Sequence, residues 1–362
     1  MYIENLKLNN FRNLESTHLS LSQGVNVFFG DNAQGKTNLL EAVYLCSTGK
    51  SRRARNDREM IAFGEQEAFV RTTSINTIGI STRIDIHIRE NRKGAAINGL
   101  PIRSVSELFG NLMCIMFTPE DLQIIKSGPS ERRRFIDVEL CQISKPYVYH
   151  LQTYYRVLKQ RNNLLRSLRS MKTDKSLRDT IEVWDTQLSE HGAILYNMRQ
   201  AYVKSLGETA SHIHKKISGE REELGVSYKP HTEPEEMEQA LINSIERDIS
   251  QGATSAGIHK DDIVFMISGS EARQYASQGQ QRTAALCAKL AQVELAASAK
   301  GSPPVLLLDD VLSELDEHRQ FQLLAQLKGV QTIITCTGTE YITRNMPEKL
   351  NIYKVENGKV DN

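Results

Sequence analysis

Gly30-Asp31-Asn32-Ala33-Gln34-Gly35-Lys36-Thr37 sets two glycines, a lysine and a hydroxyl at the spacing G-x-x-x-x-G-K-[ST], which suits a backbone wrapped around a pyrophosphate. Gly30 and Gly35 permit the wrapping, and the loop N–H groups, with the positive end of a helix beginning near Gly35, form the anion site. Lys36 is placed to reach the β- and γ-phosphates and Thr37 to ligate Mg²⁺. A glycine-rich turn could carry the same letters. The apolar residues 25–29 in front and the helix-forming run from Asn38 behind supply the strand–loop–helix context that the chemistry requires. Asp31, Asn32, Ala33, Gln34 and Asn38 complete the expected contacts to ATP, and Gly49 is the expected left-handed cap of the helix.

The run Val305-Leu306-Leu307-Leu308 ends in Asp309-Asp310, the pattern of a buried parallel strand that delivers carboxylates to the carboxyl edge of a sheet. Two adjacent buried carboxylates ask for a cation, and because successive strand residues face opposite ways they divide the work. Asp309 is assigned to Mg²⁺ and Asp310 to orienting or deprotonating the attacking water, with Lys36 as the other catalytic group. Alone, these letters describe only a strand and an acidic turn; the phosphate loop upstream raises them above that.

A third segment, Ser277-Gln278-Gly279-Gln280-Gln281-Arg282, precedes an Ala-rich stretch at 283–299 with Leu286, Leu290 and Val293 on one helical face. Gly301 and Pro303-Pro304 end it. Ser277 reads most simply as an N-cap. A hydroxyl, a glycine permitting close approach and a helix N-terminus also make a second anion site, for which Ser277, Gly279 and Gln280 are the candidates. One chain seldom needs a second γ-phosphate site unless it serves a nucleotide held by another copy.

The elements that must position these groups are interrupted, since Lys36 is early and Asp309 late. Residues 69–74, 80–89 and 95–98 read as short strands; Ile84, Ile86 and Ile88 alternate with Arg83, Asp85 and His87, and Asn98-Gly99 is a turn. They predict an antiparallel side sheet. From 119 to 252 the pattern is helical, with one stripe at Leu151, Tyr154, Leu158, Leu165 and Leu168, broken by Arg161, and another at Ile181, Trp184, Leu188, Leu195, Met198 and Tyr202. The expected division is 1–118 for the first half of the nucleotide fold, 119–252 for an inserted helical lobe and 253–362 for the second half, with Asn357-Gly358 turning a terminal hairpin. Trp184 and His191 are expected to pack in the core. His259, Asp261 and Asp262 read as a structural or nucleotide-linked loop rather than a metal site.

With these motifs placed, the chain resembles the ABC superfamily of ATPases, whose signature begins with Ser and has Gly two residues on, and within it the SMC/RecF branch. The resemblance to the RecF family spans all 362 residues. It is carried by Leu8-Asn9-Asn10-Phe11-Arg12-Asn13-Leu14, Thr118-Pro119-Glu120-Asp121-Leu122, Gly128-Pro129-Ser130-Glu131-Arg132-Arg133-Arg134-Phe135, Gly257-Ile258-His259-Lys260-Asp261-Asp262 and Asp309-Asp310-Val311-Leu312-Ser313-Glu314-Leu315-Asp316. It implies an α/β fold, an ABC-type P-loop ATPase head with an antiparallel side sheet and an inserted helical lobe. It also implies a homodimer formed with ATP, with Ser277 and Gly279 closing on the partner's nucleotide and Asp316 in the loop between the two sites. DNA at gaps and single-strand/double-strand junctions, slow DNA-stimulated hydrolysis, and cooperation with RecO and RecR in loading RecA are further implications. Two departures stand out: Asp310 occupies a position where most relatives carry Glu, and 332–337 lacks a switch His, leaving Thr335 or Thr337 as a weaker phosphate sensor. The Gln at the entrance of the helical lobe is replaced by Pro119-Glu120-Asp121. A transport-type ATPase subunit driving a membrane partner is the alternative reading.

Net charge is only +1, so uniform basicity does not point to nucleic acid, but the charge is segregated. Arg52, Arg53 and Arg55, and the run Arg132, Arg133 and Arg134, are the expected DNA-phosphate contacts, while 220–238 is acidic. Five scattered cysteines without a C-x-x-C pair, no run of 18 apolar residues and no signal-peptide pattern predict a cytoplasmic protein without a membrane span.

Overall fold

The computed structural model describes residues 1–170, 175–220, 222–325, 327, 329–345 and 350–361. It divides into two compact units, Met1–Asp121 with Lys289–Asn362, and Leu122–Ala288. Residues 253–288, expected with the returning half of the nucleotide fold, therefore belong to the second unit, and the boundary falls inside the helix Gln278–Lys300.

The first unit holds two six-stranded sheets among the described residues. One is parallel through Asn351–Glu356, Val25–Phe29, Thr332–Cys336, Val305–Asp309 and Cys114–Phe117, in that order, with Lys359–Asp361 antiparallel at its edge. Thr332–Cys336 lies between the phosphate-loop strand and the acidic strand. The other sheet is antiparallel: Leu14–Ser20, Tyr2–Phe11, Glu67–Ile75, Ser81–Arg89, Arg92–Ile97 and Leu100–Pro101. Its middle strands match the alternation read from Ile84, Ile86 and Ile88, all fully buried. The amino-terminal hairpin was not among the expected strands, although Leu6, Leu8 and Phe11 bury as completely.

Both sheets pack on the helix Lys36–Thr48. Leu39, Leu40, Val43 and Leu45 join Phe28, Leu307 and Ile333 from one sheet and Leu8, Val70 and Ile86 from the other in a single core. A helix enclosed on two sides buries its whole circumference, Glu41, Ser47 and Thr48 included, so it shows no sharp polar stripe. It ends where expected: Gly49 has φ 68° and its N–H donates to Leu45 O at 2.7 Å.

The second unit is built on Pro129–Ile143, Lys145–Ser170 and Lys175–Ser218, with an antiparallel sheet of Leu224–Lys229, Asp262–Ile267 and Ser270–Glu271. Leu224–Lys229 is a strand inside the 119–252 stretch expected to be helical. Arg161, expected as a polar break, is fully buried: it donates to Asp185 at 2.5 Å, Asp248 at 2.7 Å and Thr254 Oγ1 at 3.0 Å. The fully buried Arg199 likewise donates to Asp137 and Tyr147 Oη and to Ile258 O. Such charges persist in a core only when matched, so these pairs set which helix faces meet.

Candidate nucleotide-binding site

After Phe29 the chain turns through three residues of positive φ, Gly30 at 152°, Ala33 at 64° and Gly35 at 115°, before the helix begins at Lys36. A side chain at position 30 would place its Cβ 2.2 Å from Val355 O, and one at position 35 would meet Asn13 Oδ1 at 2.8 Å. Both glycines are therefore demanded by close approach as well as by φ. The opposite flank is held by the terminal hairpin: Gly358 N–H donates to Gln34 O at 3.0 Å and Asn357 N–H to Gln34 Oε1 at 2.5 Å. Lys36 is buried and its ammonium lies across the loop, donating to Gly30 O at 2.6 Å and Asp31 O at 2.7 Å. Asp31, Asn32 and Ala33 are exposed on the rim.

Parallel register then assembles the acidic part. Phe28 pairs with Thr335 and Thr335 with Asp309, so three strands reach the carboxyl edge at one level. Thr37 Oγ1 donates to Asp309 Oδ1 at 2.8 Å across 272 residues of sequence. Thr335 Oγ1 donates to the same oxygen at 2.8 Å. Burial pushes the Asp309 carboxyl above its ordinary value; the Thr335 and Thr37 hydroxyls oppose this, Glu120 adds to it and Arg53 opposes it. A divalent cation beside Asp309 would reverse the balance. A hydroxyl and a carboxylate oxygen in contact at the end of a phosphate loop form a hard-oxygen donor set that fits Mg²⁺. Asp310 has left the strand with φ 51°, so it is separated from Asp309 by a change of backbone direction and not by pleat alternation alone.

Thr335, the first sensor candidate, is 1% exposed and its hydroxyl bonds Asp309 and the Asp310 amide. Thr337, just beyond the strand, is exposed. Asp121, in the stretch that stands in place of the expected Gln, is also unavailable. Its buried carboxylate accepts from Thr118 N–H at 2.8 Å and Arg52 Nη2 at 2.7 Å, with Lys289 Nζ 3.4 Å away. Burial opposes its ionisation, but Lys289 and Arg52 outweigh burial and hold it below the ordinary carboxylate range. Glu120 remains exposed.

Asn13 and Arg12 were not among the candidate site residues, yet Asn13 wedges against Gly35 and accepts from Asn38 Nδ2 at 2.8 Å. Arg12 grips Glu41 of the loop helix with two nitrogens, at 3.1 and 2.8 Å. Their signal was present in the opening Asn10-Phe11-Arg12-Asn13-Leu14, but only as part of a resemblance.

In the second unit the helix starts at Gln278, five residues earlier than expected, and Ser277 caps it reciprocally. Ser277 Oγ accepts from Gln280 N–H at 3.3 Å, and Gln280 Oε1 accepts from Ser277 N–H at 2.7 Å. The N-cap reading thus holds, and Ser277 is exposed at the helix N-terminus. Gly279 lies in the first turn, where its carbonyl accepts from Thr283 Oγ1 at 2.9 Å.

The family model of the RecF/RecN/SMC N-terminal domain matches residues 2–361. The DNA replication and repair protein RecF of Lachnoclostridium phytofermentans is 50% identical over 362 residues, covering 100% of this chain and 99% of that protein. The chain belongs to the RecF family. A solved structure of the recombination mediator protein RecF-ATP in the RecFOR pathway matches with a TM-score of 0.91 at 34% identity, over 99% of this chain and 97% of that one. An Smc head domain from Pyrococcus furiosus, 17% identical with a TM-score of 0.60 over 99% and 95%, shares the fold. Membership of the RecF family sets the transport-type alternative aside, and among the described residues no helix is long and apolar enough to cross a membrane.

Within this RecF-family chain the expected DNA arginines divide. Arg132 is buried and pairs with Asp262 through two bonds of 2.6 and 2.9 Å while donating to Ser127 O, so its assignment to DNA is withdrawn. Arg133 is half-buried and holds Asp261 O at 2.6 Å, and only Arg134 of the three is exposed. Arg52 is likewise spent on Asp121 and Met116 O. Arg53 and Arg55 are exposed, Arg53 donating to Asn38 Oδ1 at 3.1 Å beside the phosphate loop. The loop with His259 is structural: His259 Nδ1 bonds Tyr154 Oη at 2.9 Å and Nε2 bonds Thr254 O at 3.1 Å. Asp261 accepts from Tyr228 Oη and His231 N–H. Trp184 and His191 are half-buried, and His191 contacts His150 through Nδ1 at 2.9 Å.

Proposed function

We propose that this RecF-family chain is an ATP-dependent DNA-binding repair ATPase that acts as a homodimer. The observation that carries the reading is the Thr37–Asp309 contact, which joins the phosphate loop and the acidic strand at one sheet edge. In this role the loop amides and Lys36 hold the phosphates, Thr37 and Asp309 hold Mg²⁺, and Asp310 directs the attacking water. When bound, Mg²⁺ supplies neutralisation of charge on the β- and γ-phosphates. Ser277, Gly279 and Gln280 of a second copy complete the site. Their exposed helix N-terminus, in the unit that does not carry the phosphate loop, supports that assignment.

The exposed Arg53, Arg55 and Arg134 are the remaining candidates for DNA phosphates. Kinship to RecF proteins of the RecFOR pathway supports action in the cytoplasm at gaps and junctions, with RecO and RecR, toward RecA loading. The short carboxylate Asp310 and the absence of a switch His favour slow, DNA-stimulated turnover that times release.

Sedimentation of the chain with and without ATP, alongside hydrolysis with and without gapped duplex, tests the reading. Doubling of mass with ATP and stimulation by DNA are expected, both abolished by Lys36→Ala. A mass unchanged at saturating ATP overturns the dimer, and turnover indifferent to DNA overturns the coupling.

A further inference from the structure

The strand Thr332–Cys336 separates the phosphate-loop strand from the acidic strand, and one hydroxyl on it makes two bonds at the junction. Thr335 Oγ1 accepts from Asp310 N–H at 3.0 Å and donates to Asp309 Oδ1 at 2.8 Å, while the Thr335 carbonyl also accepts from the Asp310 amide at 3.3 Å. The side chain is 1% exposed, flanked in sequence by Ile334 and Cys336, which bury as apolar residues do. A valine would fill the same space, so the hydroxyl is kept at a buried position where packing alone does not call for it.

Two further facts give the hydroxyl a task. Among the described residues, the hydrogen bonds to the Asp309 carboxylate fall on Oδ1, from Thr37 and Thr335, which leaves Oδ2 to a cation. Asp310 adopts φ 51°, a left-handed backbone uncommon for a residue other than glycine, and its amide is held by Thr335. We propose that Thr335 is the positioning residue of the acidic pair, fixing the rotation of the Asp309 carboxylate toward the metal and the turn that carries Asp310 out of the strand. This rests on the nucleotide-site reading above and adds a residue to it.

The test uses the full chain, with Mn²⁺ as the probe. Mn²⁺ affinity in saturating ADP is followed by electron paramagnetic resonance, and ADP affinity in EDTA is measured separately. Thr335→Val is expected to weaken Mn²⁺ binding by about 10-fold while leaving ADP affinity in EDTA as in the parent, and Thr335→Ser to restore Mn²⁺ binding. Parental Mn²⁺ affinity in Thr335→Val overturns the proposal, as does a loss of ADP affinity in EDTA equal to the loss of Mn²⁺, which would mark a merely structural residue. Should the valine variant not fold, Thr335→Cys, a weaker donor, carries the same expectation. A parent chain that binds no Mn²⁺ with ADP removes the nucleotide-site reading itself.

Discussion

Asp310 and Arg132 show how far a single side chain's role depends on its direction. Asp310 stands beyond the end of its strand with its backbone turned and, among the described residues, makes no ion pair of the kind that occupies Asp121, which suits a group that must meet water. Asp310→Asn is expected to lower hydrolysis by about 10²–10⁴-fold with ATP still bound, the range for loss of a general base; single-turnover hydrolysis beside equilibrium ATP binding checks it. Arg132 belongs to the fold instead. Arg132→Ala strands Asp262 and should cost up to about 3 kcal/mol in denaturant unfolding, with the salt dependence of DNA affinity unchanged in any folded fraction. Arg134→Ala should leave stability alone and reduce the salt slope of DNA binding by about 1.

Between elements, two junctions decide the geometry. The loop after the helices of the second unit is locked by His259, held between Tyr154 of Lys145–Ser170 and the Thr254 carbonyl. Burial pulls its pKa from 6.5 down to about 4, with nearby Lys260, Arg133 and His231 acting in the same direction. The unfolded chain therefore takes up this proton first. Stability from the neutral histidine is complete above pH 6.5 and is lost as pH falls toward about 4, by up to about 3 kcal/mol. Urea unfolding across that window should show the loss, and His259→Gln should flatten it. The second junction is the contact of Gly30 with Val355 O, through which the terminal hairpin's strand braces the phosphate loop. Gly30→Ala must move one of them, so weakened nucleotide binding together with a lowered melting temperature is expected in the same variant.

For the molecule as a whole, the consequence of the arrangement is that the phosphate loop and Ser277 lie in different compact units of one chain. If each nucleotide is held by the phosphate loop of one copy and capped by Ser277 of another, two damaged chains can repair each other. Lys36→Ala and Ser277→Arg should each be inactive alone, whereas their mixture should recover part of the hydrolysis, because a mixed dimer contains one intact composite site. Steady-state ATPase across mixing ratios checks this, and a mixture as inactive as its components would place the complete site within a single copy.

The local structure of this protein was legible in its sequence wherever local rules govern. The phosphate loop, the cap at Gly49, the buried strand ending in Asp309 and the hairpin turn at Asn357-Gly358 follow from glycine sterics, apolar runs and turn chemistry, which a few neighbouring residues determine. Family membership was legible in motifs spread along the whole chain. Tertiary structure alone decided the partners of charged groups. Arg132 and Arg134 are neighbours in a row of three, yet one is inside and one outside, since helix rotation and not composition selects the face. Strand order was equally invisible: nothing local announces that residues 332–336 slide between two strands that precede them, and only that insertion brings Thr335 onto Asp309. Hydrogen-bonded pairing across hundreds of residues is set by which buried surfaces fit together, and that fit is a property of the folded whole.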